Sequence, residues 1–369
     1  MRALVNRMTA RAATSLQCFV GRCRAVSGRG FSLLLIVLIS MTGYAEDTAE
    51  HDESMVLYEV LVAEHEKALK RLENLRFEYT RKMREFRRIE DKALRVLTTV
   101  TGVEESRGGQ LFCDVKFDHE FPDGNPRGFE EAWARRLVVN EHQIASWNVG
   151  SHEADLWELP VPHEAARFVE RQFLTLRCPL LIKAYGDDNM TLSEFKNYLK
   201  RHPNWRVTVE VREEGDDVLY VVTQFPNEGQ KTPYKRLLLS SRQGFIVREI
   251  AHFTEGGAVY QKTEVTAKEI APDLWFPMSY ETVGYATEGE GGESDPVNVD
   301  YRSGCEVHVV TLDNDAPEHG FGLGALTIND GQSFNVHRST GKKEHQKFFQ
   351  GELLPPDVYR EFAGIVAKP

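Results

Sequence analysis

The chain has 369 residues, 41% of them hydrophobic, and a formal net charge of −11. That length allows one large or two ordinary domains, and the apolar content is enough for a sizeable core, which excludes a disordered chain. The acidic balance lacks the basic footprint that nucleic acid or an anionic membrane surface requires, so neither is expected as a partner.

Residues 1–30 carry Arg2, Arg7, Arg11, Arg22, Arg24 and Arg29 and no acid. An apolar run at 31–40 follows, and Gly43-Tyr44-Ala45 places small residues for a cut after Ala45. This is the pattern of a secretory signal peptide with a long basic leader, and it predicts export of a chain that begins near residue 46. The apolar run is about half the ~20 residues a membrane span needs, so no span is expected after cleavage; an uncleaved anchor is the alternative. Cleavage also removes Cys18 and Cys23, leaving Cys113, Cys178 and Cys305. At most one disulfide and one leftover thiol can then form within a monomer, so stability must come from the core.

A helix is expected to begin near Glu53 or Ser54 and to end around Asn74, with Leu57, Leu61, Ala68, Leu69 and Leu72 on an apolar stripe. Residues 75–83 alternate with period two and read as a strand, with a helix continued through Lys92, where Lys, Arg and Glu are abundant, as the alternative. Strand-like runs follow at 94–103, 109–117, 132–140 and 143–149, the last two forming a hairpin around Glu141-His142. Strands at this spacing point to a barrel or strongly curved sheet. The middle differs. Residues 162–185 repeat apolar positions at threes and fours, with Pro179 expected to end or kink that helix. A second helix opens at Thr191 with Glu194 three residues on, the capping-box signature, and closes at His202-Pro203. Residues 163–203 therefore read as a helical insertion between strands.

A hairpin is expected at 206–211 and 218–224, and four further antiparallel strands at 233–285. In the first of these, Leu237 and Leu239 share a face. Ser241-Arg242-Gln243-Gly244 supplies the turn, where Gly244 can take a positive φ. Phe245 and Val247 alternate with Ile246 and Arg248 on the return. Val259, Thr263, Val265 and Ala267 are expected to face inward and Tyr260, Lys262, Glu264, Thr266 and Lys268 to face water. Pro277 places its strand at an edge, or marks a bulge or interruption. The acidic, Gly-rich stretch at 286–298 reads as a loop, 305–312 as a strand, and 356–362 as a short terminal helix. Residues 46–340 are taken as one domain and 341–369 as a C-terminal extension.

No catalytic, metal or cofactor motif emerges. His-Glu-x-x-His and Cys-x-x-Cys are absent. Cys305 and His308 would point to opposite faces of a strand and cannot share an ion. Ser240-Ser241 is explained by turn chemistry, and Cys178, beside Arg177 and Pro179, by burial at a helix end, although a nearby cation could activate it. Phe168, Phe173, Phe195 and Tyr198 cluster in the insertion. Core packing is the plain explanation; the sharper one is that these helices cover the mouth of a curved sheet and line an apolar cavity with Leu237, Leu239, Phe245 and Val247.

The hairpin Leu237-Leu238-Leu239-Ser240 to Gly244-Phe245-Ile246-Val247-Arg248, followed by Glu269-Ile270-Ala271-Pro272-Asp273-Leu274-Trp275-Phe276-Pro277, resembles the LolA-like superfamily of bacterial envelope proteins. Arg248 stands four positions after Gly244, a small departure from the family's turn pattern. The resemblance implies an α+β fold: a mostly antiparallel, strongly curved sheet, an incomplete β-barrel, with an N-terminal helix and a helical lid. It implies a periplasmic or envelope protein that binds lipid or a lipidated protein without catalysis or cofactor. A structural, interaction or sensor module without a cavity is the alternative. A secreted hydrolase is a third class and would need convergent polar residues in a cleft.

Overall fold

The computed structural model describes residues 47–89, 92–124, 132–161, 178–186, 190–227, 229–287, 294–312 and 320–366. The chain divides into two units, residues 1–52 and 53–369, and the features below belong to the second.

The N-terminal helix α1 (Asp47–Arg71) starts earlier than its apolar periodicity implied. Its sheet-facing stripe is Leu57, Tyr58, Leu61, Val62 and His65, all buried, with the opposite face left to Ala63, Glu66 and Lys67. A buried Leu or Val contributes about 1.5–3 kcal/mol, so this stripe, rather than helix propensity, holds α1 in place. Arg71 pins the C-terminal end, donating to the carbonyls of Pro272 and Asp273 at 2.9 and 2.8 Å.

Among the described residues, sixteen strands form one open sheet. The first meander is β1 (Leu75–Ile89), β2 (Lys92–Arg107), β3 (Gln110–Glu120), β4 (Ala132–Val139), β5 (Gln143–Asn148) and β6 (Glu153–Glu158). The second is β7 (Arg206–Glu214), β8 (Asp217–Phe225), β9 (Lys235–Ser240), β10 (Ile246–Phe253), β11 (Val259–Ala271), β12 (Leu274–Thr287) and β13 (Ser294–Leu312). They meet where β13 pairs antiparallel with β1. The tail adds β14 (Ser333–His337), β15 (Lys343–Phe349) and β16 (Glu352–Leu354), with β14 parallel to β6, the exception in an otherwise antiparallel order. The helix α4 (Pro356–Val366) follows. Edges β7 and β16 do not pair with each other, so the barrel stays incomplete. An open sheet this wide must curl, and the register shifts in β1, β10, β11 and β12 add local twist.

One shift lies where Thr266 and Ala267 of β11 pair with Ser279 and Pro277 of β12, which puts the bulge expected at Pro277 beside it at Met278, in an interior strand rather than at an edge. The Asp217 carboxylate scaffolds the β9–β10 turn, accepting from Ser240 Oγ at 2.5 Å and the Arg242 amide at 3.0 Å. That accounts for the paired serines. The strand expected at 305–312 begins at Ser294, so part of the acidic stretch read as a loop is sheet; 288–293 lie outside the described residues. Between β6 and β7, which lie far apart in the sheet, come α2 (Leu180–Ala184) and α3 (Leu192–Arg201). Pro179 is the N-cap of α2; residues 162–177, read as a helix that Pro179 would end or kink, lie outside the described residues. Thr191 and Glu194 form the complete capping box of α3, and His202 is its C-cap.

The sheet is covered on its inner face, and over β3–β6 on both faces. On the inner face Val100, Cys113, Leu137, Tyr280 and Cys305 join Leu180, Ala184 and Tyr185 of α2 and Leu72 beyond α1. The outer face of β3–β6 packs Phe112, Val138, Ala145 and Leu156 against Leu326, Phe334, Val336 and Phe348.

Candidate ligand-binding face

Register places Leu239 opposite Val247 and Leu237 opposite Ile250, and all four side chains are 0% exposed. The expected common face for Leu237, Leu239 and Val247 is therefore present. Phe245 does not extend it. It sits in the turn with φ 64°, a strained position for a side chain, and its ring lies 5.6 Å from that of Tyr220. Its carbonyl accepts from His65 Nε2 at 2.6 Å, while His65 Nδ1 faces the Tyr185 carbonyl at 3.2 Å. The shorter contact assigns the ring proton to Nε2. One histidine thus joins α1, the β9–β10 turn and the residue after α2. Burial is the main cause holding its pKa below the usual imidazole value, with the two carbonyls pulling the other way.

Phe195 is buried and Tyr198 half-buried on one side of α3, with rings 5.9 Å apart and stacked. Trp205 meets both edge-on, Tyr58 of α1 meets Phe195, and Tyr234 continues from Trp205 toward His252 of β10. The aromatic series therefore ends on the same strand face as Ile250, two residues from His252. Phe168 and Phe173 lie outside the described residues.

The sequence reading missed the other end of the inner face. Trp133 stacks on Phe117 at 3.9 Å and 11°. Its Nε1 donates to His119 Nε2 at 3.1 Å, and His119 Nδ1 meets Thr98 Oγ1 at 2.9 Å, which fixes a neutral ring with its proton on Nδ1. Met83, Trp133, Trp275 and Met278 are half-buried along the margin of the inner core. Trp133 was legible only as a strand residue; its ring partner is set by the β3–β4 register, Phe117 opposite Trp133.

A polar group is folded into this core. The Glu104 carboxylate, 2% exposed, accepts from the Cys178 amide at 3.1 Å. Burial above all drives the Tyr79 hydroxyl and the Cys178 thiol well above their usual ranges. A thiol raised this way stays protonated, so the activated-cysteine reading fails, and Arg177 lies outside the described residues. His308 is exposed and meets Thr80, whereas Cys305 is buried, as their opposite faces require. Among the described residues no group of three or more His, Cys, Asp or Glu is arranged to hold a metal ion, and no helix is long and apolar enough to cross a membrane. Two surface clefts of about 450 and 380 Å³ are rich in charged residues, among them Asp217 and Arg248 in the first and Lys116 and Asp114 in the second.

The fold is one open, mainly antiparallel sheet packed on a long N-terminal helix. Solved structures similar to it include LolA superfamily proteins, the superfamily that the sequence motifs resemble. A LolA superfamily protein from Nitrosomonas europaea has 10% identity and a TM-score of 0.32, covering 73% of this chain and 98% of its own. A domain from Vibrio parahaemolyticus described as an outer membrane lipoprotein-sorting protein gives the same identity and TM-score over 73% of this chain and 100% of its own. A DUF1329 family protein from Desulfovibrio piger has 11% identity and a TM-score of 0.34 over 74% of this chain and 98% of its own. At TM-scores this low the likeness says nothing of ligand or partner. No protein-family model and no curated protein matches the sequence.

Proposed function

We propose that this is an exported, non-enzymatic envelope protein that binds an acyl chain, free or on a lipidated partner, along the inner face of its open sheet. One observation carries the reading: a continuous apolar inner face edged by half-buried Met83, Trp133, Trp275 and Met278. Methionine and tryptophan side chains at a margin present polarizable apolar surface that can repack around a flexible chain. The first charged surface cleft holds one of these side chains, Trp275, among Glu214, Asp216, Asp217, Arg242 and Arg248. Export is supported by the basic leader, the short apolar run and the small residues before position 46.

The test is lipid extraction and mass spectrometry of natively purified protein, with uptake of a fluorescent fatty acid. Co-purifying lipid and saturable uptake are expected, with uptake weakened about tenfold by Trp133→Ala, the equivalent of 1.4 kcal/mol. Absence of both lipid and uptake overturns the reading. The second reading, an interaction module without a cavity, is supported by the complete burial of Leu237, Leu239, Val247 and Ile250. It predicts no lipid and no uptake, together with a specific crosslink to one envelope protein.

A further inference from the structure

We infer that Cys178 and Cys305 are the two halves of a disulfide that forms as the chain folds. Their sulfurs lie 3.6 Å apart, and the two residues are 3% and 4% exposed. Cys305 is on the inner face of β13, opposite Arg81 of β1 and Tyr280 of β12. Cys178 stands just ahead of α2, with its amide held by Glu104 of β2. That hydrogen bond and the packing of Leu180 and Tyr185 in the inner core set Cys178 over Cys305 without any covalent help. A bond would bring the sulfurs to about 2.05 Å.

The reaction is thiol–disulfide exchange. One thiolate attacks a disulfide of the oxidant, protein or small molecule, and releases one of its sulfurs as a thiol. The second cysteine then attacks the mixed disulfide. The pair loses two hydrogens, and the oxidant leaves as two thiols. Burial keeps the folded Cys178 protonated, so exchange proceeds while the chain is still open, and the finished bond is shielded from reductant. Cys113, also buried on the inner face, stays outside the bond. The bond ties the segment entering α2 to the strand at the seam of the two meanders, across a sequence separation of 127 residues. In cells the inference rests on export, because an oxidising compartment supplies the oxidant; with purified protein it does not.

The full chain is refolded from denaturant with reduced and oxidised glutathione, digested without reductant, and its peptides are mapped by mass spectrometry. The Cys178 and Cys305 peptides are expected joined and two hydrogens lighter than their sum. Reduction in denaturant followed by refolding under reductant should lower the Tm by about 5–10 °C. Cys113→Ser should keep both the linkage and the Tm. The double variant Cys178→Ala, Cys305→Ala should melt near the reduced wild type and ignore reductant. Free thiols at both positions after oxidative refolding, or pairing of either with Cys18, Cys23 or Cys113, overturns the inference. The same mapping on protein recovered from whole cells of a bacterial host that expresses the full chain separates the two readings. A bond formed in vitro with thiols found in cells would retire export and leave the pairing standing.

Discussion

His65 is held between two carbonyl oxygens, a geometry that can use two ring protons, inside a core that rejects the charge. Burial is the larger effect, so its folded pKa lies below the usual 6.5. The unfolded chain then binds the proton more readily. The stability His65 contributes is complete above pH 6.5 and falls as pH drops through that value, with a slope approaching about 1.4 kcal/mol per pH unit for one proton. Urea midpoints measured from pH 8 to pH 5 should show this loss, and His65→Gln should flatten it. A second residue-scale contact is Gly102. A Cβ built there would sit 2.6 Å from the Tyr79 ring, which is buried. Gly102→Val should lower unfolding free energy by about 1–3 kcal/mol, the usual range for overpacking a core; equilibrium denaturation measures it.

Among the elements, α3 is the one whose ends were written most plainly into the sequence. Thr191 accepts from the Glu194 amide, and Glu194 reaches back to the Thr191 amide. Thr191→Ala should reduce stability by about 1 kcal/mol in thermal or urea unfolding, and by less for Thr191→Ser. Strands show where alternation misleads. Period two correctly placed Thr263 and Val265 inside and Glu264 and Thr266 outside. It failed at Phe245, because the turn extends through that residue, and at Arg248, where a register shift inserts an unpaired position between Val247 and Glu249. The candidate binding face was thus readable for Leu237, Leu239 and Val247, whose spacing carries it. Trp133 was not, because its stacking partner comes from another strand.

At the level of the molecule, the tail completes the sheet. Leu326, Phe334, Val336 and Phe348 cover the outer face of β3–β6. Truncation after residue 319 should therefore uncover Phe112, Val138 and Leu156. The truncated protein should bind a hydrophobic dye strongly and lose solubility, while the full chain does neither. The N-terminus makes a separate expectation. Protein recovered from the periplasm of a host that expresses the whole chain should begin at Glu46 by N-terminal sequencing; recovery of intact Met1 chain in the cytoplasm would remove export.

Sequence by itself determined what local chemistry dictates: an apolar stripe at helical spacing, the capping box of α3, the turn at Gly244, and the alternating strands of both meanders. These signals act over a few residues, so one chain suffices to read them. Only the tertiary structure decided which strands meet. The pairing of β1 with β13, the parallel docking of β14 on β6, and the approach of Cys178 to Cys305 join residues more than a hundred positions apart. Such contacts arise from the curl of the sheet and from burial of its two faces, and no local periodicity encodes them. The stretch from Leu237 to Val247 therefore supplied the motif, while the complete burial of Leu237, Leu239 and Val247 came from the helices and strands folded around them.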